Sequence, residues 1–478
     1  MASLKKEIIR GSFWTTLGQI SVLGLSLLTN IWLARLLSPI DFGRVGIIMF
    51  FISIGYVLSE GGLSGALIRK KVVSEEQYST VSVFNLIISI GFSLLIISFA
   101  GSVSKYYNDD FLKLPLIISS LIIIINAFQF VKLTQLYINL NFKDKAIFEF
   151  ISVLISSIIA IVLAYNGAGI WSIVLYNILR SLLMSICLYI NNPKGVGYKF
   201  NISVFKDIYG FGVNTSFSSV LTIIFDNIYS LILGKYFNLS QVGYYFQARR
   251  LLDVPSGVLT TLSNGPIYSG LSKIQDNKDQ FSQGYIKTIN ILMAISGIMV
   301  IFVYLFSDDI ILIIFGNKWI QSVIYLKILS LSVLIFIQDS FNKVIFKIYN
   351  KTRTMLKLDL FKKGIQLIGI GIAIYFQNIN VLLINYIISL FIGYLLTNYY
   401  SRKILNSVYY VEQRNFIYLV VIISILLFGS DYFYTIFNKT IVRYLFFVFI
   451  TIPVYAFLLY RFKILDVKSI FKGALILK

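Results

Sequence analysis

The chain has 478 residues, of which 57% are hydrophobic and 13% are charged, and its formal net charge is +21. This composition is too apolar for a disordered chain, and the single cysteine, Cys187, rules out an intrachain disulfide scaffold. Because the chain has no histidine, the usual zinc and haem sites and Ser–His–Asp triads are excluded, and a polytopic membrane protein with an unexplained positive charge remains.

Long apolar runs without strict alternation predict an all-α polytopic membrane protein with about 14 transmembrane helices. The first six spans are predicted at residues 13–36, 45–67, 81–102, 114–138, 148–164 and 170–190. The next six are predicted at residues 205–233, 243–271, 288–306, 319–348, 358–376 and 381–400. The last two are predicted at residues 416–433 and 441–459.

The distribution of basic residues supports this order of spans. With the N-terminus in the cytoplasm, we count 29 of the 42 lysines and arginines on the cytoplasmic side, eight on the opposite side and five in span interiors. Residues near span ends, such as Lys343 and Lys362, are counted with the adjoining side. This asymmetry is typical of the positive-inside rule, and one missing span in the first half would destroy it. We therefore expect both termini in the cytoplasm. The excess positive charge would orient the chain and meet anionic lipid headgroups, and no nucleic acid partner is expected.

An internal repeat predicts two lobes. LARLLSPIDFG at residues 33–43 aligns with LGKYFNLSQVG at residues 233–243, at a constant offset of 200. Six predicted spans separate the two copies, so the halves keep the same orientation and are parallel repeats. The polar stretch at residues 191–201 is interpreted as the linker between them. We predict an N-lobe at 1–200 and a C-lobe at 201–412 around a central cavity, followed by a C-terminal helix pair and cytoplasmic tail at 413–478.

Basic side chains inside the predicted spans are the candidates for substrate binding, because each costs about 2.5–3.5 kcal/mol to insert. Arg180 lies at mid-span, where it cannot easily snorkel to water. Arg249 is spaced to pair with Asp253 at i, i+4, and this structural role is its alternative interpretation. Arg250 has Val at i+4 and is a better substrate candidate. Lys327 lies near a span end and is long enough to reach water, which is its alternative.

The sequence contains no ATP-binding motif, so we expect energy from an ion gradient, the membrane potential or downstream consumption of the product. A proton relay here would have to use carboxylates, since there is no histidine. Asp226 and Asp253 are the predicted coupling residues, with an ion pair or a hydrogen bond to a neighbouring helix as their structural alternative. No catalytic residue, metal ligand or cofactor is predicted.

Several stretches resemble bacterial polysaccharide exporters. They are GSFWTTLGQ at 11–19, LARLLSPIDFG at 33–43, SEGGLSGALIRKK at 59–71, the segment 243–276 and FGNKW at 315–319. Over most of its length the chain is similar to Wzx-type polysaccharide and O-antigen flippases of the multidrug/oligosaccharidyl-lipid/polysaccharide (MOP) exporter superfamily. The resemblance implies two six-helix lobes around a cationic cavity, and by position it assigns residues 416–459 to a groove for a lipid tail.

The resemblance also implies an activity. The expected function is alternating-access transfer of an undecaprenyl-pyrophosphate-linked oligosaccharide repeat unit across the bacterial cytoplasmic membrane, for the synthesis of O-antigen, capsule or exopolysaccharide. The expected partners are this polyprenyl-pyrophosphate-linked oligosaccharide, the lipid bilayer, and a polysaccharide polymerase with other assembly proteins. No enzymatic activity is expected.

Three alternatives remain open at the level of sequence. A multidrug extruder of the same fold should carry more acidic than basic residues in its spans, and a peptidoglycan-precursor flippase would use the same architecture. A membrane glycan polymerase would need carboxylates on a large outer loop. The acidic pairs on the predicted outer side are Asp109–Asp110 and Asp308–Asp309, and both lie on short loops at predicted helix ends.

Overall fold

The computed structural model describes the backbone of residues 2–70, 73–192, 197–263, 267–436 and 440–465. These residues form helices and no strand, which confirms the all-α prediction. The predicted cytoplasmic tail beyond residue 465 and positions 193–196 of the predicted linker lie outside the described residues.

The helices follow one another with short connections. The first ten are α1 (Ala2–Leu36), α2 (Pro39–Glu60), α3 (Leu63–Ile68), α4 (Glu75–Tyr107), α5 (Lys113–Ser119), α6 (Leu121–Ile138), α7 (Phe142–Tyr165), α8 (Ile170–Asn191), α9 (Ile202–Tyr236) and α10 (Leu239–Leu262). The other nine are α11 (Tyr268–Ser272), α12 (Lys278–Leu305), α13 (Ser307–Ile314), α14 (Ser322–Ile348), α15 (Thr352–Tyr375), α16 (Ile379–Arg402), α17 (Asn406–Ile436), α18 (Thr440–Phe446) and α19 (Ile452–Arg461).

Polar residues at the helix starts explain why such apolar segments begin at defined positions. Ser38 and Asp41 form a reciprocal capping box at α2, with Pro39 at its first turn. Ser74 and Gln77 do the same at α4. Each box satisfies backbone N–H groups that the first helical turn leaves without partners.

Contacts divide the chain into two units, Met1–Phe246 and Gln247–Lys478. In unit 1, α7 packs against α1 and α8, while α2 and α4 pack against α6 and α9. The Thr29 hydroxyl donates to Ser157 Oγ at 2.7 Å, which links α1 to α7. A buried apolar cluster that includes Leu67, Val131 and Ile208 fixes α3 against its neighbours. The lobes at 1–200 and 201–412 and the pair at 413–478 rest on the repeat and the spans, and they remain predictions.

Unit 2 is organised around α14, most of whose apolar span is buried. Helix α14 packs against α12 and α16, α15 lies along α16, and α17 lies along α12. The C-terminal helix α19 is fastened to this group because the Tyr455 hydroxyl donates to the carbonyl of Ala294 at 2.9 Å.

The predicted count of fourteen spans is not confirmed, since twelve helices among the described residues are long and apolar enough to cross a membrane. The two predicted spans outside this set, 243–271 and 358–376, correspond to α10 and α15. Both helices have 24 residues, a length of about 36 Å that exceeds the roughly 30 Å hydrocarbon core. Their charged residues, such as Arg249 and Arg250 in α10 and Lys357 and Lys362 in α15, make them less hydrophobic than the rest.

The 200-residue repeat recurs in the helix boundaries. Helices α1 and α9 end at Leu36 and Tyr236, and helices α2 and α10 begin at Pro39 and Leu239, each pair 200 residues apart. The repeated glycines make reciprocal contacts within unit 1. A Cβ added to Gly43 would clash with the Leu239 carbonyl oxygen, and one added to Gly243 would clash with the Pro39 carbonyl oxygen. Glycine at both positions therefore allows α2 and α10 to cross in close contact.

We predict that Gly43→Ala destabilises the protein by about 1–3 kcal/mol, because the added methyl group has no space at this crossing. Gly24→Ala is the matched control, since its Cβ would meet nothing within 4 Å and alanine favours the helix. Thermal unfolding of the two purified variants in the same detergent compares their stabilities. A Gly43→Ala melting temperature equal to that of Gly24→Ala would contradict the close crossing.

Candidate functional site

A polar cavity of about 280 Å³ lies within unit 1, between α2, α6, α7 and α8. These four helices are apolar on most of their surface, so the polar groups that they direct into one space stand out. The polar side chains of its lining are Tyr56, Asn126, Gln129, Glu149, Ser152, Asn177, Arg180 and Ser181.

Arg180 is half-buried at the middle of α8 and lines this cavity. No hydrogen bond or ion pair with another described residue uses its guanidinium group. The guanidinium has five N–H donors in a plane and stays protonated. The cavity therefore offers a fixed positive charge whose donors are available to a ligand.

Hydrogen bonds between α6 and α8 hold the cavity wall beside Arg180. The Gln129 side-chain amide donates to the Ser181 carbonyl oxygen at 2.7 Å and to Ser181 Oγ at 3.0 Å. The Ser181 hydroxyl in turn donates to Asn126 Oδ1. Because Ser181 follows Arg180 directly, these bonds also fix the backbone that carries the arginine.

The carboxylate in this cavity is already paired. Glu149 on α7 accepts from the Lys145 ammonium group at 2.7 Å, one helical turn earlier. This ion pair balances the negative charge of Glu149, so Arg180 provides the unpaired charge of the lining. Glu149 was not predicted as a site residue, although its i, i+4 spacing from Lys145 is visible in the sequence.

A second, smaller cavity of about 80 Å³ lies within unit 2 and contains Arg249 and Asp253 of α10. Residues of α14 and α16, among them Ser332, Phe336 and Tyr386, complete its lining. Arg249 Nε lies 3.8 Å from Asp253 Oδ2, so the pair predicted from the i, i+4 spacing is present. The Asp253 side chain is 65% exposed, and such a solvated pair contributes about 1 kcal/mol or less.

The other residues predicted from the sequence, Arg250, Asp226 and Lys327, do not line either of these two cavities. Arg250 is half-buried on α10, and Asp226 is exposed on α9; neither is among the residues that line the two cavities above. Lys327 of α14 pairs with Asp308 of α13 at 2.9 Å. The structure thus joins Arg249 to Asp253 and Lys327 to Asp308, and the functional roles of all these residues remain predictions.

In each of the two acidic pairs considered for a polymerase, Asp109–Asp110 and Asp308–Asp309, one carboxylate forms an ion pair. In the second pair, Asp308 is bound to Lys327. Asp109 is buried, caps the backbone of Phe111, and accepts from Arg44 at 2.6 and 3.1 Å. A bidentate arginine contact is strong and fixed in geometry, so Asp109 anchors α2 to the loop after α4.

Unit 2 contains a buried ionic network that was not predicted from the sequence. Asp339 of α14 is 2% exposed and lies 3.0 Å from the Lys362 ammonium and 3.2 Å from that of Lys343. Lys343 also pairs with Asp359 at 2.6 Å, and the Thr397 hydroxyl donates to Asp339 at 2.9 Å. Lys343 and Lys362 were counted with the cytoplasmic basic residues, although both lie within the predicted spans 319–348 and 358–376 and on α14 and α15. The position of Asp339 within a predicted span and its i, i+4 spacing to Lys343 were the available signals.

Residues 32–324, more than half of the chain, match a family of proteins described as polysaccharide biosynthesis proteins. The chain belongs to this family. Among the residues that the structure describes, no group of three or more His, Cys, Asp or Glu side chains is arranged to hold a metal ion.

Among its curated relatives are proteins named for polysaccharide and lipopolysaccharide biosynthesis. It is 24% identical over 329 residues to the succinoglycan biosynthesis transport protein ExoT of Rhizobium meliloti, covering 68% of this chain and 66% of ExoT. It is 22% identical over 327 residues to the lipopolysaccharide biosynthesis protein WzxC of Escherichia coli, covering 66% and 65%. The matches thus span about two thirds of these relatives.

The fold is similar to that of a solved structure described as the lipid II flippase MurJ in an inward closed conformation. The two structures superpose with a TM-score of 0.74 over 97% of this chain and 99% of that one, at 18% sequence identity. The family match confirms the resemblance to polysaccharide exporters seen in the sequence, and the MurJ-like fold agrees with it.

We predict that Asp339→Asn lowers stability by about 3 kcal/mol or more, because it leaves the Lys362 ammonium without its buried partner. Lys70→Ala is the control. Its pair with Asp207 has side chains 27% and 65% exposed, and breaking it should cost about 1 kcal/mol or less. Thermal unfolding in detergent compares the two variants. Equal shifts would show that the Asp339 network is not a stabilising element.

Proposed function

We propose that the protein is a flippase that moves a polyprenyl-pyrophosphate-linked oligosaccharide from the inner to the outer leaflet of the bacterial cytoplasmic membrane. It would do so by alternating access, as one step of surface polysaccharide synthesis, with undecaprenol as the lipid carrier. The single observation that carries the proposal is the Arg180 cavity, where a guanidinium without a partner among the described residues lies at the middle of a helix in unit 1.

The chemistry of the headgroup explains why a cation is needed there. A pyrophosphate is anionic and cannot enter a dry, apolar space without a large loss of hydration energy. A guanidinium binds phosphate oxygens through two parallel charge-assisted hydrogen bonds and keeps its charge at any physiological pH. One fixed arginine lowers the free energy of the headgroup within the membrane without holding it as tightly as a cluster of cations would.

Neutral polar groups beside Arg180 suit the sugar part of the substrate. Asn126, Gln129 and Asn177 present amides, and Tyr56 and Ser152 present hydroxyls. Sugars carry hydroxyl groups that both donate and accept, so amides and hydroxyls can bind them without regard to charge. This lining supports an oligosaccharide on a phosphate carrier better than the lipophilic cation of a multidrug extruder.

The remaining predicted residues take secondary roles in this proposal. Arg249, Arg250 and Lys327 would offer further positive charge to the headgroup as it moves, and Asp226 and Asp253 would tune coupling. An inside-negative potential would favour outward movement of an anion by about 2.3 kcal/mol per charge per 100 mV.

The C-terminal helices would accompany the lipid tail. Helices α17 and α19 carry large exposed apolar side chains, such as Phe428, which is 81% exposed, and Phe457, which is 62% exposed. This surface is suited to acyl or prenyl chains. With both termini in the cytoplasm, the outward product would be handed to a polymerase and other assembly proteins on the far side of the membrane.

We predict that Arg180→Ala reduces surface glycan about tenfold or more, because a charge-assisted hydrogen bond contributes about 1.5–3 kcal/mol. Arg180→Lys should retain part of the activity, since it keeps the charge but loses the bidentate geometry. Arg353→Ala, at an exposed position on α15, is the control. Quantitative glycan immunoblots at matched membrane protein levels measure the effect. Normal glycan in Arg180→Ala would overturn the role of this cavity.

We predict that a deletion strain accumulates the lipid-linked repeat unit on the cytoplasmic leaflet, because synthesis continues while transfer stops. Radiolabelled lipid-linked sugars, tested for access to a membrane-impermeant periodate reagent, measure it. Accumulation of unpolymerised repeat units on the outer leaflet would indicate a polymerase instead. Accumulation of peptidoglycan precursor alone would indicate that this protein carries that substrate.

A further inference from the structure

A second polar cluster lies in unit 2, away from Arg249, and centres on Glu412 of α17. The Glu412 side chain is 0% exposed, and Asn342 of α14 donates to its Oε1 at 2.7 Å. The Tyr285 hydroxyl of α12 donates to Asn342 Oδ1 at 2.9 Å. Asn342 therefore joins a carboxyl group and a phenol in a site that excludes water.

The partners of Glu412 are neutral on every helix that packs against it. Tyr285 on α12, and Tyr394 and Asn398 on α16, also interact with its carboxyl group. None of the ion pairs in the described part of the chain includes Glu412. Asn398 is fully buried and faces the carboxyl, yet neither its Oδ1 nor its Nδ2 makes a hydrogen bond of good geometry there.

Charged side chains on α17 and on neighbouring helices either bind other residues or are exposed on the surface. Lys343, next to Asn342 on α14, is held by Asp339 and Asp359. Arg414 on α17 is exposed and contacts Asn415, and Arg461 at the end of α19 is exposed. No cation is thus positioned among the described residues to balance an ionised Glu412.

The hydrogen bonds indicate which form of the carboxyl the site accepts. An ionised carboxylate in an apolar interior without a counter-ion is strongly disfavoured, and such a group takes up a proton instead. Oε1 already accepts from Asn342, whereas Oε2 has no hydrogen-bond partner in the described structure. A proton on Oε2 would neutralise the group and supply a donor to the oxygen acceptors around it.

We propose that Glu412 is a proton-binding site, which carries a proton on Oε2 in this packed state and releases it to water when its end of unit 2 opens. The cluster lies near the start of α12 and α17 and the end of α14 and α16, at the end that the predicted topology places in the cytoplasm. The inference rests on the proposed transport function, to which it assigns the proton as coupling ion, and it adds Glu412 of α17 to the coupling residues Asp226 and Asp253.

Infrared spectroscopy of the purified protein tests the protonation directly. At neutral pH we expect a carboxylic acid C=O band that shifts in D₂O and is lost in Glu412→Gln. Asp431→Asn, at an exposed position on the same helix, should keep the band. A spectrum of Glu412→Gln identical to that of the unsubstituted protein would overturn the proposal.

Glycan export in cells tests the coupling. We expect export by the unsubstituted protein to fall with a protonophore, and export by Glu412→Gln to be low and to lose that response. If Glu412→Gln does not reach the membrane, Glu412→Asp keeps the carboxyl and should retain the response. Full, protonophore-sensitive export in Glu412→Gln would overturn the proton site while leaving the flippase function intact. A deletion strain with normal glycan would instead overturn the flippase function.

Discussion

The rest of the structure depends on one constraint, the high free energy of an uncompensated charge away from water. Each ionisable group in the spans meets this constraint in a different way. Asp339 is buried and bound by two ammonium groups, and Glu412 is buried among neutral partners. Arg180 keeps its charge by lining a polar cavity. We relate the three solutions to three purposes: the Asp339 network holds helices together, and Glu412 and Arg180 are the proposed sites for a proton and an anion.

The sequence predicted the helical fold and the repeat well, because both depend on local pattern. Apolar runs specify membrane helices, and the repeat predicted turns at matching positions, as the ends of α1 and α9 confirm. The count was less secure for α10 and α15. Both were predicted as spans, but charges such as Arg249, Arg250 and Lys362 lower their hydropathy, and neither helix is among the twelve that are apolar enough to cross a membrane.

The candidate site was predictable only in part. Arg180 stood out because a mid-span arginine has few structural explanations. Its companions Asn126 and Gln129, and likewise Asn342 beside Glu412, are uncharged and lie on helices distant in sequence. Their significance follows from which helices meet, and a single sequence does not contain that information. Family membership and the MurJ-like fold agree with an exporter, and the proposal of its substrate rests on the chemistry of the cavity.

Binding of the lipid carrier to the purified protein tests the central claim most directly. Native mass spectrometry with undecaprenyl pyrophosphate, in competition with a neutral lipid of similar chain length, separates headgroup recognition from binding of the tail. The account predicts that the unsubstituted protein prefers the pyrophosphate and that Arg180→Ala loses about tenfold in affinity for it, with unchanged binding of the neutral lipid. Equal pyrophosphate binding by both proteins would contradict the assignment of Arg180 as the anion-binding group.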